Sequence, residues 1–133
     1  MGQTEIERYA LQREMFEKAL DRLGEVLSMD ETDVVRDSII QRFEFTFEMA
    51  WKTLFRFLTD KGERLAAKAW DVLPVAFESL LIEDAETWDR MRSYRNESSH
   101  EYKLAKAIEI AAFVRSQAYP AFCALKVELA RRA

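Results

Sequence analysis

From Asp33 to Asp60 the chain runs without glycine or proline, while apolar residues recur every three or four positions. Ile39, Phe43, Phe47, Ala50, Leu54 and Leu58 form one stripe, widened by Ile40, Trp51, Phe55 and Phe57. That spacing predicts a long amphipathic helix, with Asp33 as N-cap and Gly62 as the stop. On an ideal helix Phe45 and Met49 fall on the opposite side, among Gln41, Arg42, Lys52 and Arg56. A helix apolar on two sides either crosses the centre of the fold or has a second partner. The alternative is that both are scattered exposed apolar residues, which are common.

The rest of the chain offers this helix only other helices to pack against. Three glycines and two prolines in 133 residues leave too few turns for an all-β sandwich or barrel. Thr4 to Leu27 places Tyr9, Phe16, Leu20, Leu23 and Leu27 on one face, with Thr4 and Glu7 in capping-box spacing. A third helix is predicted over Ala66 to Leu81, with Trp70, Leu73, Phe77 and Leu80 on one face, kinked by Pro74 or starting later than it looks. A shorter fourth begins after Glu83-Asp84 and carries Trp88, Met91 and Tyr94; the acids suit the dipole of its first turn. The last runs from about Ser99 to Arg131, with Ile108, Ala111, Ala112, Phe122, Leu125 and Leu129 apolar and Pro120 bending or interrupting it. The expectation is one domain over residues 1–133, an all-α, up-and-down antiparallel bundle of left-handed packing.

Several function classes drop out. A single Cys123 excludes a disulfide framework within the chain, and one His with one Cys leaves no ordinary zinc site, so no metal or cofactor is expected. No apolar run approaches the roughly 20 residues of a membrane span. Glu5 and Glu7 stand where a signal peptide would be basic, so a cytoplasmic location is expected. The net charge of −4 argues against a general nucleic-acid coat, but not against a local basic patch.

Such a patch exists. Arg90, Arg92, Arg95, Lys103 and Lys106 face only Glu97 and Glu101 between residues 90 and 106, so this window is +3 and the remainder −7. It also holds the only histidine, His100, and it suits a phosphate-bearing ligand. Arg95 and His100 lie about 140° apart on a continuous helix. Ser98 and Glu101 have capping-box spacing, however, and a new helix starting at Ser98 or Ser99 would place His100 in its first turn. Free N–H groups and the dipole there favour phosphate and keep the imidazole neutral. RNA cleavage without metal needs a base, a cation on the phosphoryl oxygens and an acid at the leaving oxygen. Arg95 suits the cation, His100 the base or acid, and Asn96 an orienting role. One His does not easily serve as both, so a two-fold dimer is attractive. Against this stands the ordinary alternative of a capping or surface histidine, half-buried Tyr94 and Tyr102, tryptophans in the core and Cys123 as a small hydrophobe.

The run Arg95-Asn96-Glu97-Ser98-Ser99-His100-Glu101-Tyr102 resembles the Arg-x-x-x-x-His-x-Tyr motif of the HEPN superfamily. Arg36 to Lys52 is similar to the helix-two signature of its branch long called the nucleotidyltransferase substrate-binding protein family. The resemblance extends to Tyr9–Leu27, Ala76-Phe77 and Trp88, and so to nearly the whole chain. It implies a helical bundle acting as a homodimer, the toxin of a toxin–antitoxin module and a metal-independent ribonuclease acting on RNA such as tRNA. The implied antitoxin is a minimal nucleotidyltransferase that transfers AMP to the motif tyrosine. Carried over by position, Arg95 and His100 are the catalytic pair, Asn96 the polar helper and Tyr102 the AMP acceptor; Arg92 and Lys103 of the basic window are further candidate RNA or phosphate contacts. Glu97 departs from the neutral residue common at its place, and a pairing with Arg95 would lower activity. The alternative is a non-catalytic subunit that binds nucleotide or substrate for the transferase; a second is a structural dimer.

Overall fold

The computed structural model describes residues 3–98 and 103–132. It contains α1 (Gln3–Leu27), α2 (Asp33–Asp60), α3 (Ala69–Glu78), α4 (Ala85–Ser98), α5 (Leu104–Phe113) and α6 (Tyr119–Arg131). A π-helical turn over Val114–Ala118 joins α5 to α6 without a break. No strand occurs among the described residues, and the architecture is the expected all-α bundle.

The length of α2 follows from its stripe, and so does its central position. It touches α1, α3, α4, α5 and the π turn. Ile39, Phe43, Phe47, Ala50 and Leu54 are buried in one core with Phe16, Leu20 and Leu23 of α1 and Phe122, Leu125 and Leu129 of α6. Each of these side chains except Ala50 contributes about 1.5–3 kcal/mol by leaving water. Trp88 meets Phe122 edge-on at 5.6 Å and Phe47 at 6.4 Å, which carries the core under α4. Two buried threonines fix the register of α1 on α2. Thr46 Oγ1 donates to Ala19 O at 3.3 Å, and Thr53 Oγ1 to Gln12 O at 3.2 Å. The pairs step by seven residues in opposite directions, so the two helices are antiparallel. Each hydroxyl also lies 2.7 Å from the carbonyl four residues back, so a polar side chain is satisfied inside the core.

Several expectations are corrected. The N-cap of α2 is Thr32, whose side chain accepts from Val35 N at 3.1 Å; Asp33 is the first helical residue and pairs with Arg36. The open question about the second side of α2 divides: Met49 is 6% exposed and accepts a hydrogen bond from Gln12 Nε2, so it belongs to the core, as a helix at the centre of the fold allows. Phe45, 53% exposed, does not. The α3 helix starts at Ala69, the later start that Pro74 left open, whereas Trp70 and Phe77 of the expected apolar stripe, and Leu80 beyond the helix end, stay exposed. Trp70 is therefore not a core tryptophan, and Ile108 on α5 is likewise exposed. The last helix begins at Leu104, because α4 continues through Ser98 and uses the residue that the capping-box spacing assigned to the next helix.

Pro120 widens the last helix rather than ending it. Proline has no N–H, and its ring collides with the carbonyl four residues back. The π turn lies just before it and Tyr119 N–H bonds to Val114 O, five residues back, so the wider turn accommodates the proline within a continuous helix. Arg115 of this turn donates to Leu27 O at 2.7 Å and pairs with Glu31 at 3.3 Å, tying the turn to the end of α1. Gly24 has a reason here: a Cβ would stand 2.9 Å from Tyr119 Oη.

Candidate functional site

The C-terminal half of α4 turns Arg95 toward α2. Arg95 Nη1 is 3.5 Å from Glu44 Oε2 and Nη2 is 3.7 Å from Glu48 Oε1. Glu44 and Glu48 are one turn apart on α2, so they present two carboxylates along one line. Arg95 and both acids are partly buried, with side chains 23–30% exposed. These distances are ion pairs rather than short hydrogen bonds. Two carboxylates against one guanidinium direct its planar fork and offset its charge.

A second cluster closes the bundle beside the same end of α4. Tyr94 Oη donates to Glu109 Oε2 at 2.6 Å, and Lys106 Nζ lies 3.1 Å from the same oxygen. The Tyr94 ring packs on Phe113 at 4.9 Å, and Arg90 lies over Phe113 at 5.1 Å. Desolvation raises the pKa of the Tyr94 hydroxyl, and its bond to Glu109 raises it further. That bond, followed by Lys106, holds the Glu109 carboxyl below the ordinary range. Both shifts describe a neutral phenol donating to a carboxylate. The contact joins the last two turns of α4 to the first two of α5, so the ends that flank residues 99–102 are fixed relative to one another.

The other sequence-predicted residues divide. Asn96 is exposed on the last turn of α4, one residue from Arg95. Lys103 is exposed, extended, and caps α5 through its carbonyl, which accepts from Lys106 N and Ala107 N. Arg92 turns elsewhere: it pairs with Asp89 at 2.9 Å and lies over the Trp70 ring at 4.4 Å, toward α3. His100, Tyr102 and the side chain of Glu97 lie outside the described residues. The first turn of α5 starts at Leu104, so the helix-dipole argument made for residue 100 does not carry over to α5. Glu44, Glu48 and Glu109 were not singled out in the sequence, and Tyr94 was read there only as a half-buried packing group. The one signal was the pair of acids four apart inside the Phe-rich run. Among the described residues no group of three His, Cys, Asp or Glu could hold a metal ion, and no helix is long and apolar enough to cross a membrane.

Residues 11–131 match the family described as nucleotidyltransferase substrate binding protein like. The match spans most of the chain, and the protein belongs to that family. A crystal structure of a protein from Thermus thermophilus is 34% identical, covering 89% of this chain and 98% of its own, with a TM-score of 0.70. No curated protein matches.

Proposed function

We propose that this protein is the ribonuclease toxin of a two-component module, cleaving RNA such as tRNA without metal and silenced by a partner nucleotidyltransferase. The observation that carries this is the placement of Arg95. It is an arginine aimed by two α2 carboxylates at the end of α4, three residues from the edge of the segment that holds the only histidine. Its fork matches the non-bridging oxygens of a phosphodiester. His100 takes the proton of a ribose 2′-hydroxyl, and the 2′-oxygen attacks phosphorus. The P–O5′ bond breaks, and the leaving 5′-oxygen takes its proton from an acid, for which the same residue of a second copy serves. The products are a 2′,3′-cyclic phosphate and a 5′-hydroxyl. Asn96 orients the imidazole or the phosphate, and Lys103 adds positive charge. Arg92, held by Asp89 and Trp70, serves at most a more distant phosphate.

AMP on Tyr102 adds negative charge and bulk two residues from His100, which blocks an RNA phosphate. Intact mass and peptide mapping test this, with the protein expressed alone and with the nucleotidyltransferase encoded beside it. AMP adducts on the Tyr102 peptide only in the second case support the switch. Unmodified protein that still cleaves RNA in the complex contradicts it.

The family's description favours a second assignment, a non-catalytic subunit presenting substrate to the transferase. The carboxylates offsetting Arg95 suit a nucleotide-binding role as well as a catalytic one. On that assignment His100→Ala changes transferase activity and leaves RNA untouched.

A further inference from the structure

The two capped helix ends of α2 and α3 solve one problem with different residues. After α2, Gly62 N bonds to Thr59 O and Glu63 N to Leu58 O, with Gly62 at φ 99°. After α3, Leu80 N bonds to Phe77 O and Leu81 N to Ala76 O, with Leu80 at φ 62°. Both are the same terminal hydrogen-bond pattern, in which the left-handed position is normally glycine. Leucine there carries a steric cost that glycine avoids. Its side chain is 68% exposed, so burial does not offset that cost. What Leu80 adds over glycine is apolar surface.

That surface continues a larger one. Trp70 is 66% exposed and Phe77 43%, and between α3 and α4 lies a groove of about 520 Å³. Leu73, Ile82 and Trp88 line it beneath Trp70 and Phe77. A second depression of about 190 Å³ runs from Leu80 and Ile82 to Ala121 and Leu125. The rims are acidic: Glu78 and Asp89 line the first, Glu83, Asp84 and Glu128 the second. Arg92 pairs with Asp89 at the groove, and Arg131 and Arg132 pair with Glu128 at the second depression, which leaves Glu78, Glu83 and Asp84 as the rim acids with no ion pair among the described residues. Residues 71–89 hold Asp71, Glu78, Glu83, Asp84, Glu86 and Asp89 with no lysine or arginine, leaving 20 bases against 18 acids in the rest of the chain.

We infer that the α3–α4 groove, with Leu80 as an exposed anchor, docks a partner protein through an amphipathic helix whose apolar row is flanked by lysine or arginine. The sign of the charge selects this occupant. Glu78, Glu83 and Asp84 on the rims repel a phosphate backbone. A two-fold contact of the groove with itself sets like charge on like charge. A basic amphipathic helix covers the apolar floor and meets the rim with opposite charge. This surface is independent of the chemistry proposed for Arg95.

The probe is a fluorescein-labelled helical peptide of leucine and lysine, about 14 residues long to span the roughly 15 Å of α3, with a leucine–glutamate counterpart. Anisotropy with the full chain is expected to give a Kd of order 10–100 μM, rising with salt. Phe77→Asp is expected to weaken binding more than about 10-fold. Leu80→Gly is the decisive variant: binding falls about 3- to 10-fold while the thermal midpoint rises by about 2–5 °C. Loss of binding without gain in stability would mean a damaged fold and overturn the assignment, as would equal binding of the glutamate peptide or none of the lysine one. Sedimentation closes the remaining route: a wild-type dimer that Phe77→Asp dissociates would make the occupant a second copy. RNA cleavage is expected to be unchanged in both variants.

Discussion

Along the fourteen residues of α4 the charge changes sign. Asp84 just before it, with Glu86 and Asp89 in its first half, stands on the side of the acidic apolar groove; Arg90 and Arg95 stand at the basic window, while Arg92 turns back to the groove and pairs with Asp89. The helix dipole favours this order, acids first and bases last. It does not account for the extent, because the acids continue onto α3 and the bases onto Lys103 and Lys106 of the next element. One short helix thus separates the basic end, where we propose phosphate binds, from the acidic groove, where we propose a basic helix docks. The two faces also differ in how they are held. The basic end is locked by Tyr94–Glu109 and by Arg95 between Glu44 and Glu48, whereas the groove keeps large apolar side chains uncovered.

The largest effect is expected where the faces share a support. Trp88 lies under both depressions of the acidic side and packs on Phe47, the α2 residue next to Glu48, and on Phe122. Trp88→Ala is expected to cost about 3–5 kcal/mol in urea unfolding and to impair both faces together; a loss confined to one would break the idea of a common core. Arg95→Ala is expected to lower RNA cleavage by about 10²- to 10³-fold. Its stability should stay close to wild type, because the pairs it breaks are partly solvated. Peptide binding at the groove is expected to be unchanged, which separates the faces.

At the other end of α4, Asp84 caps the helix: its carboxylate accepts from Thr87 N at 3.0 Å and Thr87 Oγ1 at 2.6 Å. Asp84→Ala is expected to cost about 1 kcal/mol at neutral pH. The Thr87 bonds hold the Asp84 pKa below its ordinary value. A depressed carboxyl stabilises the fold above its unfolded pKa and loses that contribution as pH falls through the folded one. Wild type and variant should therefore converge in acid, as followed by thermal melts. The smallest effect is Leu80→Gly, a gain of about 0.5–1 kcal/mol; a loss would contradict the strain assigned to this turn.

The long elements were legible because nothing competes with them. α1 and α2 are unbroken three-four stripes, and their ends fall within a residue of the expected ones. Periodicity names a face but not its cover. Trp70 and Trp88 sit in equally apolar stripes, yet one is exposed and the other buried. Met49 looked stranded on the polar side of α2 until Gln12 of α1 came to meet it. At the site, Arg95 stood out through its basic window. Glu44 and Glu48 did not, because acids on a helix flank read as solvated until a base from a distant segment is set between them. The start of α5 was misplaced because spacing alone does not tell whether Ser98 opens one helix or closes another.

The central claim is that Arg95 and His100 form a ribonuclease centre. Its most direct test is cleavage of tRNA by purified protein in excess chelator, comparing wild type with His100→Ala and Arg95→Ala and identifying the new ends. Wild-type cleavage leaving 2′,3′-cyclic phosphate ends, lost in both variants while their folds persist, is the predicted result. Intact RNA in all three samples, with the unmodified mass verified, would contradict it, as would equal cleavage by His100→Ala.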